Sequence, residues 1–101
     1  GVEVSTEYSG RAKKLEQTLF DTGFRYTGNP SDLISTHLSN GIQTISIEQK
    51  GYAFIQIYTP PDKNSIAIEP MTCATDAFNS GLGLEILEPK ASKQMHWAIR
   101  L

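Results

Sequence analysis

Cysteine is almost missing: Cys73 stands alone in 101 residues, so no disulfide can form within the chain. The two histidines, His37 and His96, are scattered, and with one thiol they fall short of the ligand clusters that structural zinc or iron sites need. No metal and no cofactor is expected. Basic residues are equally sparse, nine lysines and arginines against eleven acids for a formal charge of -2, with Lys13-Lys14 the sole adjacent pair. Nucleic acid is excluded as a partner on that ground, because binding it takes a concentrated positive surface. Arg11, Arg25 and Arg100 form no cluster in sequence, which speaks against a phosphorylated ligand. No run approaches the ~20 apolar residues of a membrane helix, and no basic start with an apolar stretch resembles a secretion signal. The expectation is a cytoplasmic protein with no membrane partner.

What the chain does contain is short alternating segments. Apolar content of 39% and aromatic content of 9% suit a globular protein, and 101 residues suit one domain with one modest core, spanning 1–101. Helical spacing is confined to Ala12, Leu15 and Leu19, with Ser9 as a cap, and a helical turn or an ordered loop are equally open there. Leu33 to Leu38 reads as a strand that meets Asn40-Gly41, a strong hairpin signal, and Ile42 to Glu48 returns with Ile45 and Ile47 on one face. Lys50-Gly51 turns the chain into Tyr52 to Thr59, whose two faces are both apolar or aromatic, as in a central strand. Pro60-Pro61-Asp62-Lys63-Asn64 is a rigid turn. Ile66 to Glu69, stopped by Pro70, Leu82 to Ile86 and Gln94 to Leu101 complete the strands, the last with Met95, Trp97, Ile99 and Leu101 inward. Such spacing, with Gly, Pro, Asn and Asp between segments, predicts an all-β antiparallel sandwich.

One carboxylate draws notice. Alternation turns Glu69 away from Ile66 and Ile68, and Pro70 holds it extended at the predicted strand end. No Lys or Arg occurs from Ser65 to Glu88, so no neighbour in sequence pairs with it. Glu69 is either an ordinary solvated glutamate or a mounted functional group. Asp21, within Phe20-Asp21-Thr22-Gly23-Phe24, is by local chemistry a turn residue before it is a ligand group.

The run Ala67-Ile68-Glu69-Pro70-Met71-Thr72-Cys73-Ala74-Thr75-Asp76-Ala77-Phe78-Asn79-Ser80-Gly81-Leu82-Gly83-Leu84, then Leu87-Glu88-Pro89 and Trp97, closely resembles the C-terminal end of the aldose 1-epimerase (galactose mutarotase-like) family. Gln56-Ile57-Tyr58-Thr59-Pro60 and Phe20-Asp21-Thr22-Gly23-Phe24 are similar to segments further upstream in that family. The resemblance implies the C-terminal part of a large supersandwich, an aldohexose as ligand and interconversion of α and β anomers by acid/base ring opening. It puts Glu69 at the family's catalytic base and Asp21 at a sugar-hydroxyl ligand, with Phe78 and Asn79 shaping the closing loop. Tyr58 or Phe78 would supply an aromatic platform, though core packing is the competing reading for both, and the favoured one for Phe78. Complete members are several times longer and carry their catalytic histidine outside the matched part. A non-catalytic carbohydrate-binding sandwich is the alternative. Exposed edges of a reduced sandwich predict self-association as a dimer.

Overall fold

The structure, a computed structural model, describes residues 3–6, 12–14 and 19–101. Among the described residues eight strands and one helical turn follow in order: β1 Glu3–Thr6, β2 Ala12–Lys14, β3 Asp21–Arg25, β4 Ile34–Ser39, β5 Thr44–Lys50, β6 Phe54–Tyr58, β7 Ala67–Met71, α1 Ala77–Ser80 and β8 His96–Arg100. They form a five-stranded sheet in the order β2-β1-β4-β5-β8 and a three-stranded sheet in the order β3-β6-β7, every pair antiparallel. The all-β sandwich expected from the spacing is the observed architecture. No helix among the described residues is long and apolar enough to cross a membrane.

The hairpin between β4 and β5 owes its turn to Asn40, whose Oδ1 accepts from the backbone N–H of Ile42 at 2.9 Å and of Gln43 at 2.8 Å. Gly41 supplies the positive φ of 88° that this turn requires. Alternation then aims Leu38, Ile45 and Ile47 toward the second sheet. Between the layers Phe20 and Ile57 are buried, with Phe24, Leu38 and Ile66 packed against them. Gln49 ties the layers further: its Nε2 donates to the carbonyls of Tyr52 at 2.9 Å and Phe54 at 3.1 Å, where the chain crosses into β6. As expected, β6 is central and both its faces are partly covered: Ile55 and Ile57 are buried on the inner face, and on the outer face Phe54 is buried while Tyr58 is 41% exposed.

Several expectations are corrected. Ala12–Lys14 is a strand paired with β1, neither helical turn nor loop, while Ser9 and Leu15 lie outside the described residues. Pairing across the chain overrode the weak local spacing. Leu82 to Ile86 is not a strand. Gly81 at φ 73° and Gly83 at φ 74° reverse the backbone there, and Gly83 lies so close to Phe54 that a Cβ would sit 2.5 Å from its Cε2. Gly83→Ala is therefore expected to destabilise by about 2–4 kcal/mol, from backbone strain plus overpacking, as a lower urea midpoint at unchanged slope. β7 runs past Glu69 to Met71, because an outermost strand tolerates a proline. Finally, Trp97 and Ile99 do share the core-facing side of their sheet with Ile47, but at 62% and 58% exposed they are not core. β8 and β7 are both outermost, and nothing among the described residues closes the groove of about 290 Å³ that Trp97 and Ile99 line with Ile47, Tyr52, Ile68 and Pro70.

Candidate functional site

Glu69 is the third residue of β7, not its last, and the register of the three-stranded sheet decides its company. Gly23, Gln56 and Glu69 stand opposite one another across β3, β6 and β7. Asp21, Tyr58 and Ala67 make the next row, and Arg25, Phe54 and Met71 the row on the other side. Residues opposite each other in an antiparallel pair, and those two positions along, share a face. One face thus carries Asp21, Gln56, Tyr58 and Glu69, while Ile57, Ile68 and Pro70 occupy the reverse side toward the five-stranded sheet.

Asp21 is not in a turn. It opens β3, and the pairing extends beyond it through the Thr59 N–H donating to the Phe20 carbonyl at 2.7 Å. A ladder with β6 is worth more than the local turn preference of Asp-Thr-Gly, so the carboxylate is delivered to the face.

Gln56 organises the centre. Its Nε2 donates to Asp21 Oδ1 at 3.0 Å, and the Thr75 hydroxyl lies 3.4 Å from its Oε1. An ionised aspartate only accepts, which assigns the amide nitrogen to that side. Gly23 gives the amide room, since a Cβ there would stand 3.0 Å from Gln56 Oε1. Sequence reading missed Gln56, a polar residue between two buried isoleucines. Its signal was that interruption, interpretable only once β3 and β7 are known to flank it.

Glu69 is exposed, and no described residue hydrogen-bonds or ion-pairs with its carboxylate. Two strand spacings, about 10 Å, separate the backbones of β3 and β7, with the Gln56 amide between. That spacing sets Asp21 and Glu69 on either side of the Gln56 amide. Tyr58, 41% exposed beside Asp21, presents a ring at one end. At the other end the Arg25 guanidinium sits 5.9 Å from the centroid of Phe54, whose ring is also close against Gly83.

The loop after β7 contributes differently from expectation. Phe78, in α1, is 93% exposed and hence not the core residue favoured on local grounds. Asn79 uses its Nδ2 to donate to Asp76 Oδ1 at 2.7 Å. Among the described residues neither is hydrogen-bonded to the Glu69 face; Thr75 is the loop residue that reaches it. The histidines are elsewhere. His37 is opposite Ser46, with its Nδ1 2.8 Å from Ser46 Oγ, and His96 is opposite Lys50. Both belong to the outer face of the five-stranded sheet. The face therefore offers a free carboxylate able to accept a proton, a second carboxylate and an amide able to hold hydroxyls, and an aromatic surface. It offers no histidine.

No family model matches the chain, and no solved structure matches it. A curated relative, the uncharacterized protein YihR of Escherichia coli (strain K12), is 29% identical over 80 residues, which are 77% of this chain and 25% of the relative. The chain spans about a quarter of the length of the relative it matches.

Proposed function

We propose that this face binds a free aldose and that Glu69 is the proton acceptor in its ring opening, as in an aldose 1-epimerase-like isomerase of which these residues form the C-terminal portion. The observation that carries the reading is the register that sets Asp21, Gln56, Tyr58 and Glu69 on one open face. Glu69 takes the proton of the anomeric hydroxyl, the bond from the anomeric carbon to the ring oxygen breaks, and an acid protonates that oxygen. Rotation about the adjacent carbon–carbon bond and reclosure give the other anomer and return both protons. Asp21 and Gln56 fix the remaining hydroxyls, and Tyr58 underlies the ring. The proposal includes a cytoplasmic setting.

The acid does not come from His37 or His96, which belong to the other sheet's outer face. It is a group outside these residues or, for the chain alone, water, so the isolated chain turns sugar over feebly. The same lack of histidine favours the second reading, a sandwich that holds a carbohydrate without converting it.

NMR separates the two. Titration with hexoses should shift Gln56 and Tyr58 signals, and exchange between the α and β anomeric signals should accelerate in the longest natural polypeptide carrying these residues. Binding without exchange there supports the module, and no binding at millimolar sugar removes both readings. Gln56→Leu should weaken sugar binding about 5- to 30-fold, roughly the loss of one or two neutral hydrogen bonds, at unchanged melting temperature.

A further inference from the structure

A strand edge is a template for another strand, and folded proteins usually guard theirs with proline, charge or coverage. Three of the four outer strands here are guarded. β7 carries Pro70 and Glu69, β3 carries Asp21, Gly23 and Arg25, and β2 is Ala12-Lys13-Lys14 in sequence. β8 is not. His96-Trp97-Ala98-Ile99-Arg100 contains no proline or glycine, and its one formal charge is already matched, with Arg100 Nε 2.5 Å from Glu48 Oε1. Its apolar residues stand out from the sheet, Trp97 at 62% and Ile99 at 58% exposed.

We propose that β8 is a self-association edge, at which two copies of this chain pair antiparallel about a two-fold axis through Ala98. This rests on the edge itself and not on the sugar reading. The segment is self-complementary in that register. Trp97 falls opposite Ile99 of the second copy, and Ile99 opposite its Trp97, giving two aromatic–β-branched cross-strand pairs of the kind that stabilise sheets. Ala98 meets Ala98 at the axis, where small side chains let the strands approach. His96 meets Arg100, whose charge Glu48 balances. The two five-stranded sheets become one continuous sheet, and Trp97 and Ile99 of each copy gain cover.

Area sets the strength. Trp97, Ile99, Met95 at 37% and Leu101 at 99% exposed leave roughly 400–500 Å² of apolar surface per chain, a little over half the ~800 Å² each partner contributes to a standard interface. The dimer is accordingly weak and depends on concentration.

Sedimentation equilibrium of the intact chain from about 1 μM to about 1 mM should show monomer passing to dimer, a range that brackets Kd values of weak complexes. Ile99→Lys, which adds charge at an exposed position, should weaken association at least tenfold. In a Cys73→Ser background, Ala98→Cys should crosslink to itself on mild oxidation at least ten times faster than Asn64→Cys in the exposed turn before β7, since paired strands place the two sulfurs within disulfide reach. Monomer at every concentration overturns the proposal, as does association that survives Ile99→Lys or equal crosslinking at the two positions. So does a monomer whose β8 amides resist hydrogen exchange at all concentrations, because a strand of the same polypeptide would then occupy the edge.

Discussion

Glutamine in place of Glu69 is expected to slow anomer exchange by about 10²- to 10⁴-fold, the range that a positioned acid or base supplies, in the longest natural polypeptide carrying these residues. The substitution keeps the size and the hydrogen-bonding reach of the side chain and removes its ability to take up a proton. Sugar affinity should therefore change by no more than about threefold, which separates loss of the chemical step from loss of binding. Stability should not move, because the carboxylate is exposed and has no partner among the described residues. Polarimetry after dissolving a pure anomer measures the rate, and a thermal scan checks the fold. A rate unchanged by Glu69→Gln would rule out this carboxylate as the base, and loss of sugar affinity alone would reassign it as a binding group.

Ile57→Ala should be the most damaging single truncation in the core. Ile57 is 2% exposed, sits in the middle strand of the three-stranded sheet, and joins Phe20 in a cluster that spans both layers through Leu38. Losing the buried atoms and leaving a cavity costs about 2–5 kcal/mol. Against a total of about 5–15 kcal/mol for a domain of this size, the variant stands near the limit of folding. The melting temperature should fall by about 10–25 °C by circular dichroism. Ile99→Ala, at 58% exposed, should change it by only about a fifth as much. If the two truncations cost the same, the core does not lie between the sheets as described.

Most of the strand content was legible from local chemistry, and most of the site was not. The β4–β5 hairpin announces itself because Asn40-Gly41 dictates a turn and the alternation on either side survives in three dimensions. β6 was readable as central because aromatic and aliphatic residues occupy both of its faces. Asp21 misled, since its neighbours favour a turn and only a partner strand 37 positions onward, at Tyr58, makes it part of a ladder. Leu82 to Ile86 misled in the opposite sense, alternating like a strand while two left-handed glycines fold it against Phe54. Resemblance pointed to Glu69 and Asp21, yet Gln56 and Thr75 were invisible because their part depends on cross-strand register and loop path. Trp97 shows the limit of alternation itself. It predicts which side of a sheet a residue faces, and not whether anything is packed there.

The order in which the sheets must close carries a consequence for folding. β4 and β5 adjoin in sequence, and such a hairpin forms in about 1–10 μs. The other edge of β5 pairs Ser46 with Arg100, a separation that emerges only after the intervening polypeptide has been made. At about 5–20 residues per second, ribosomal synthesis leaves that side of the nascent hairpin unpaired for roughly 3–10 s, about 10⁵- to 10⁷-fold longer than the hairpin takes to form. During that interval the open side of β5, with Ile45 and Ile47 facing the future core, is a target for chaperones or for mispairing. A chain with so many distant pairings also belongs among the slow folders, in milliseconds to seconds once released.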